Sequence, residues 1–214
     1  MKTDDLINAL AAKLEPVPQG WATRRLVAGP ALGMAVSLLI VWGKMGLRPD
    51  MMAATATPMF WVKFAYTLAL GLIAGVTMSR LARPGRTVGQ AVMIAGGAAV
   101  AVLFVAAAVK LTGAGPDERH ALLMGGSARV CARNIVVLSL PVYAGAIWGL
   151  RRLAPTRPTL TGLVAGLASG GLGAFIYALH CTESASPFVA LWYTLGIGVT
   201  GALGAVIGRF ALRW

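Results

Sequence analysis

Six stretches of mostly apolar residues constrain this chain more than any other feature, because each is close to the roughly 20 residues that cross a bilayer as a helix. The sequence contains 57% hydrophobic and 12% charged residues, against about 45–50% and about 25% in soluble domains. A chain of 214 residues is too short to bury that much apolar surface within itself. The sequence therefore predicts an all-α polytopic membrane protein, a bundle of six transmembrane helices.

The six spans are separated by short segments rich in basic residues, glycine and proline. The fourth span contains Pro141, which predicts a kink. The predicted bounds are Leu26–Trp42, Phe60–Met78, Val88–Val109, Asn134–Leu150, Leu160–Leu179 and Pro187–Ile207.

Glycines indicate which spans pack most closely. Gly162, Gly166 and Gly170 recur at four-residue spacing in the fifth span, and Gly204 and Gly208 do so in the sixth. Small residues at this spacing let helix backbones approach each other, so we expect packing contacts at these positions.

The net charge of +12 has a distribution that predicts orientation. The basic residues form small groups between apolar spans, not one continuous stripe, so direct nucleic-acid binding is not expected. An even number of spans places both termini on one side, and the positive-inside rule makes that side the cytoplasm. Twelve of the 19 basic residues then lie inside: Lys2, Lys13, Arg24, Arg25, Arg80, Arg83, Arg86, Arg151, Arg152, Arg157, Arg209 and Arg213.

A short amphipathic helix is predicted over Thr3–Glu15, ahead of the first span. Asp4 and Asp5 fall in its first turn, where the helix dipole favours negative charge. The helix is too short to span a bilayer and is marginal alone in water, so its apolar side requires a partner. That partner is a groove on another protein or the membrane surface, unless the segment is a frayed tail. The apolar stripe consists of Leu6, Ile7, Leu10, Ala11 and Leu14.

Cys131 and Cys181 are the only cysteines, and the topology brings both to the outer membrane surface. His180 adjoins Cys181, and thiolate and imidazole are ligands for soft and borderline metals. Three interpretations remain open: a reactive pair or one that binds a transient metal ion, a structural disulfide, or two unrelated buried cysteines. No other cofactor is indicated.

Enzymatic function is not expected, because the sequence contains no nucleophile elbow, P-loop or zincin pattern. A small transporter or channel, including one for a metal ion, is the rival class. The spans contain no Asp or Glu, which disfavours a proton-coupled transporter. Nothing in the sequence indicates an oligomeric state.

Four segments carry a resemblance to a known family. They are MKTDDLINAL at the start, FWVKFAYTLAL (Phe60–Leu70), RRLAPTRPTLTGLVAGLASGGLGA (Arg151–Ala174) and YALHCTESASPFVALWYTLGIG (Tyr177–Gly198). In these segments, and over nearly its whole length, the chain resembles the NrsF-type negative regulators of ECF sigma factors. HCTES and the following LWYTLGI are the most specific parts.

The resemblance implies an anti-sigma factor of the bacterial inner membrane. Residues 1–20 would form a cytoplasmic segment that holds an ECF sigma factor inactive, and residues 21–214 the six-helix transmembrane domain. Cys131 and Cys181 would sense an envelope-side heavy-metal or oxidant stress and release the sigma factor. On the N-terminal helix, we expect the sigma-binding residues to be Asp4, Asp5, Leu6, Leu10 and Leu14.

Overall fold

The protein is an all-α bundle of membrane-spanning length. The structure, a computed structural model, describes residues 3–12, 18, 20–83, 85 and 89–213. Within those residues no strand occurs, and six helices are long and apolar enough to cross a membrane. The predicted fold class is therefore confirmed. The six helical spans are Trp21–Met45, Pro58–Leu81, Gln90–Thr112, Pro116–Leu150, Pro158–Tyr177 and Ser186–Ala211.

Shorter helices precede or join the long ones. Val41–Met45 and Val189–Tyr193 are π-helical turns that continue α2 and lead into α10. The α-helices in chain order are α1 (Thr3–Ala11), α2 (Trp21–Ile40), α3 (Met51–Thr55), α4 (Pro58–Leu81), α5 (Gln90–Thr112), α6 (Pro116–Met124), α7 (Ala128–Leu150), α8 (Pro158–Tyr177), α9 (Ser186–Phe188) and α10 (Thr194–Ala211).

Helix α8 is the centre of the bundle and packs against α10, α4 and α7. The glycine rows make this packing close, as the sequence indicates. A β-carbon added to Gly162 would lie 2.7 Å from the Cα atom of Gly208, and one added to Gly166 would lie 2.9 Å from that of Gly201. Any larger residue at either glycine would push α8 and α10 apart.

Helix α2 packs along α7 through a second set of glycines. A β-carbon on Gly29 would overlap the backbone of Gly145, and one on Gly33 would overlap that of Pro141. Ser37 of α2 also donates a hydrogen bond of 2.7 Å to the carbonyl oxygen of Leu138. Helix α7 is thereby held to the helix that directly follows the N-terminal segment.

Helix α6 lies outside the six predicted spans. Residues 116–124, in the connection between the third and fourth predicted spans, form this helix, because Pro116 begins it and Asp117 and Glu118 occupy its first turn, where the helix dipole favours acids. Helix α1 extends from Thr3 to Ala11, and the end of the predicted N-terminal helix, residues 13–15, lies outside the described residues.

Candidate functional site

The structure brings the two cysteines together at one end of the bundle. Cys131 lies one turn into α7, and Cys181 lies four residues after α8 ends at Tyr177. Both thiols are free and buried, with exposed fractions of 0% and 3%. They belong to one core cluster that includes Tyr177 and Tyr193. The site is therefore a dithiol enclosed by aromatic rings.

The turn that carries Cys181 is held by two buried cations. Lys63 of α4 is 0% exposed, and its Nζ donates hydrogen bonds of 2.9 Å to the carbonyl oxygens of Cys181 and Glu183. Arg48, which is 4% exposed, donates to the carbonyls of Cys181 at 3.4 Å and Thr182 at 3.3 Å. Four side-chain hydrogen bonds therefore fix the backbone from Cys181 to Glu183.

The same turn reaches the start of α7 through a side chain. The carboxylate of Glu183 accepts a 2.7 Å hydrogen bond from the backbone N–H of Gly126 and one of 3.4 Å from the hydroxyl of Ser127. Ser127 is the residue before α7, where the helix dipole favours a negative charge. Glu183 thus links the Cys181 turn to the helix that carries Cys131.

Arg48 and Asp50 form an ion pair near the turn. Arg48 contacts both carboxylate oxygens of Asp50 at 2.8 Å, and this is the one ion pair within residues 3–12, 18, 20–83, 85 and 89–213. The guanidinium holds the pKa of Asp50 below its ordinary value, and the carboxylate raises the pKa of Arg48. The Cys131 thiol, followed by the Lys63 ammonium, lowers the pKa of Cys181 against the opposing effect of burial.

His180, which the sequence suggests as a possible metal ligand beside the two cysteines, makes its contact elsewhere. Its exposed ring shares a 2.9 Å hydrogen bond through Nδ1 with the carbonyl oxygen of Gly46. In the part of the chain that the structure describes, no group of three or more His, Cys, Asp or Glu residues is arranged to hold a metal ion. The geometry here is that of a thiol pair, suited to thiol chemistry.

The predicted sigma-binding residues are only partly described. Asp4, Asp5 and Leu6 lie on α1 and are exposed, Leu6 with 43% of its surface. Leu10 belongs to α1 by its backbone. Leu14 lies outside the described residues.

The cation pair and the Glu183 contact are the parts of the site that sequence reasoning missed. Lys63 lies in an apolar run near the start of the second predicted span, Phe60–Met78. An ionisable side chain inside a span is a signal of function, and that signal could have singled out Lys63.

Comparison with known proteins places these features in a family. Residues 10–214 match the family model described as negative regulator of sigma F. The chain is 44% identical over 220 residues to the anti-sigma-F factor NrsF of Caulobacter vibrioides (strain NA1000 / CB15N), with 100% of both chains covered. It is 37% identical over 214 residues to the probable anti-sigma-F factor NrsF of Azospira oryzae (strain ATCC BAA-33 / DSM 13638 / PS), again with 100% of both covered.

No solved structure matches the chain. The family model covers far more than half of the sequence, and both relatives align over their full lengths. The resemblance carried by the four sequence segments is therefore confirmed. With its six membrane-length helices, the chain belongs to the NrsF family of anti-sigma factors, negative regulators of a sigma factor.

Proposed function

We propose that this protein is an anti-sigma factor of the bacterial inner membrane, with both termini in the cytoplasm, that sequesters an ECF sigma factor of the sigma-F type. The relatives are named anti-sigma-F factors, which supports the choice of partner. The excess of basic residues at the two termini and at the second and fourth connections supports the orientation. A reporter fused after Trp214 tests it, and periplasmic activity of that fusion would contradict the whole scheme.

The sigma factor binds to residues 1–20, while residues 21–214 anchor the protein in the membrane and contain the site that senses the signal. Exposure of the apolar side chain of Leu6, on a helix too short to cross the membrane, carries this proposal. Asp4, Asp5, Leu6, Leu10 and Leu14 provide the contacts, an apolar stripe flanked by acids that fits a groove on a protein partner.

Deletion of residues 1–15 tests the sigma-binding segment. We expect constitutive transcription from a sigma-F-dependent promoter, while the truncated protein remains inserted in the membrane. Leu6→Ala should weaken capture of the sigma factor by the immobilised protein, whereas Asn8→Ala, a change at an exposed polar position of the same helix, should not. Undiminished capture after the deletion would place the binding surface elsewhere.

The input is a redox change of Cys131 and Cys181. The observation that carries this proposal is the pair of free, adjacent thiols enclosed at the end of the bundle that the orientation places outside. Oxidation by a hydroperoxide joins the two sulfur atoms, breaks the O–O bond, and releases water and the second oxygen fragment as water or an alcohol. Disulfide geometry restricts the separation of the two Cα atoms, so the bond would fix the position of the Cys181 turn relative to α7.

Single substitutions of each cysteine by serine test the input site. Both variants should retain repression of the sigma-F-dependent reporter and lose its induction by an oxidant. Cadmium ions are tested in parallel with the oxidant, because heavy-metal ions bind the same thiols. Induction by cadmium and not by the oxidant would mean that the signal is metal binding instead of oxidation. Normal induction in both variants would place the input elsewhere, and ion flux through reconstituted vesicles would favour the rival transporter class.

A further inference from the structure

Lys63 is a buried cation to which the proposed function assigns no role. It lies on the outer part of α4, one turn after Pro58, and none of its surface is exposed. Its ammonium has three N–H donors, and two of them bind the carbonyl oxygens of Cys181 and Glu183 at 2.9 Å. A charge buried at membrane depth is costly, and such residues mark functional sites.

No carboxylate of the described residues neutralises this charge. Asp50 is bound by Arg48, and the carboxylate of Glu183 is directed to the start of α7. The Nζ atom instead lies 5.7 Å from the centre of the Tyr193 ring and beside the residue that carries the Cys181 thiol. A buried charge is stable only with a compensating partner, and the group of latent negative charge next to Lys63 is a thiol.

We propose that Lys63 is the positioning residue of the thiol pair: it fixes the Cys181 turn and places a positive charge beside the sulfur, so that Cys181 attacks first. This inference deepens the proposed sensing role and takes its biological meaning from it. A cation adjacent to a sulfur favours the negative charge that the attacking thiol must carry. Cys181 attacks the hydroperoxide: an S–O bond forms, the O–O bond breaks, and the expelled hydroxide or alkoxide takes up the proton that the thiol released. The Cys131 sulfur then displaces water from this sulfenic acid and forms the disulfide.

The ratio of two alkylation rates tests the charge independently of access. Iodoacetate and iodoacetamide are similar in size and both form a thioether with loss of iodide, but only iodoacetate is anionic. The reactions use the full-length Cys131→Ser protein in detergent micelles, so that Cys181 is the one thiol. We expect the iodoacetate-to-iodoacetamide rate ratio to be about tenfold higher in the folded protein than in the same chain unfolded in urea, a neutral denaturant that does not itself repel the anionic reagent, because a nearby cation attracts that reagent.

Three variants of the Cys131→Ser protein separate charge from structure. Lys63→Met should lower the ratio most of the way to that of the unfolded chain, because the cation that remains near the Cys181 carbonyl, Arg48, is paired with Asp50. Lys63→Arg, which retains the charge, should restore most of the ratio. Lys110→Met, a change of an exposed lysine near the end of α5, should leave the ratio unchanged. If Lys63 were only structural, Lys63→Met would open the turn and raise the rates of alkylation by both reagents, and the iodoacetate-to-iodoacetamide ratio would not change.

Several outcomes would overturn the inference. If the ratio in the folded Cys131→Ser protein equals that of the unfolded chain, the inference is wrong. This comparison needs no substitution at Lys63, so it can be made even if Lys63→Met does not fold. Absence of any alkylation of folded Cys181, or faster alkylation of Cys131 in the Cys181→Ser protein, would overturn the inference too. Normal oxidant induction in both cysteine variants, with a Lys63-dependent ratio, would reject the proposed function and leave the inference about Lys63 standing.

Discussion

Replacement of Gly29 by alanine should separate α2 from α7. The new β-carbon would lie 2.8 Å from the carbonyl carbon of Gly145, whereas carbon atoms pack at about 3.5–4.0 Å. The carbonyl oxygen of Gly145 lies closer still. The two helices must therefore move apart by at least roughly 0.7 Å, and gaps of that size forfeit about a quarter to a half of the dispersion energy of each contact. The 2.7 Å hydrogen bond from Ser37 to Leu138 would lengthen at the same time.

We expect Gly29→Ala to lower the free energy of unfolding by about 1–3 kcal/mol, the usual cost of overpacking. The matched control is Gly75→Ala in α4, where an added β-carbon meets no atom within 4 Å. Both variants gain the helix propensity of alanine, worth up to ~1 kcal/mol. Gly29 also precedes Pro30, which disfavours a β-carbon in the helical conformation, so the contact itself is measured by the variant at its other side. Unfolding in mixed detergent and SDS micelles, followed by circular dichroism, provides the measurement.

Gly145→Ala provides a second check, because its β-carbon would meet the backbone of Gly29 from the other side. Two changes at one contact are not additive, so the double variant should lose less stability than the sum of the single losses. Equal stability of Gly29→Ala and Gly75→Ala would refute the reasoning, since it would mean that α2 and α7 do not meet at Gly29.

Three further predictions use the same unfolding assay. Ser37→Ala removes the hydrogen bond to Leu138 and should cost about 0.6 kcal/mol, typical of such bonds between membrane helices. Glu183→Gln keeps the shape of the side chain but removes the charge at the start of α7, and should cost roughly 0.3–1 kcal/mol, less at high salt. Asp50→Asn should be less stable than wild type at neutral pH. Because Arg48 lowers the folded-state pKa of Asp50, that stabilisation is present above the unfolded pKa and is lost as pH falls through the folded one; a gap that widens in acid would contradict this.

The spans were predictable from the sequence because their signal is local. About 20 apolar residues in a row allow few alternatives in a chain with so few charges. The glycine rows were equally readable, because four-residue spacing places small residues on one helix face whatever the partner. Helix α6 was missed because its hydrophobicity is low, and its start at Pro116, followed by two acids, was not used as a helix signal.

The environment of the thiols could not be predicted, because it depends on contacts between distant segments. Lys63 and Cys181 are 118 positions apart, and Gly126 and Glu183 are 57 apart. Sequence patterns placed both cysteines at one membrane surface, since they flank two consecutive spans. They did not show that Lys63 lies inside the bundle, because a lysine near a span end is usually explained by snorkelling to the interface.

The position of α7 makes it the natural route from the thiols to the N-terminal segment. The first turn of α7 carries Cys131 and follows the segment bound by Glu183, and its second half packs on α2 at Gly145. Pro141 lies in α7 between these two points, so a displacement of the Cys131 end can reach Gly145 as a shift of the helix or as a bend at the proline. Coupling is reciprocal: under the proposed function, in which oxidation of the thiols releases the sigma factor, the bound sigma factor stabilises the dithiol over the disulfide by the same free energy. The equilibrium between dithiol and disulfide, measured against a glutathione redox buffer, should therefore shift toward the dithiol in the complex; an identical equilibrium with and without the sigma factor would show that the two ends are uncoupled.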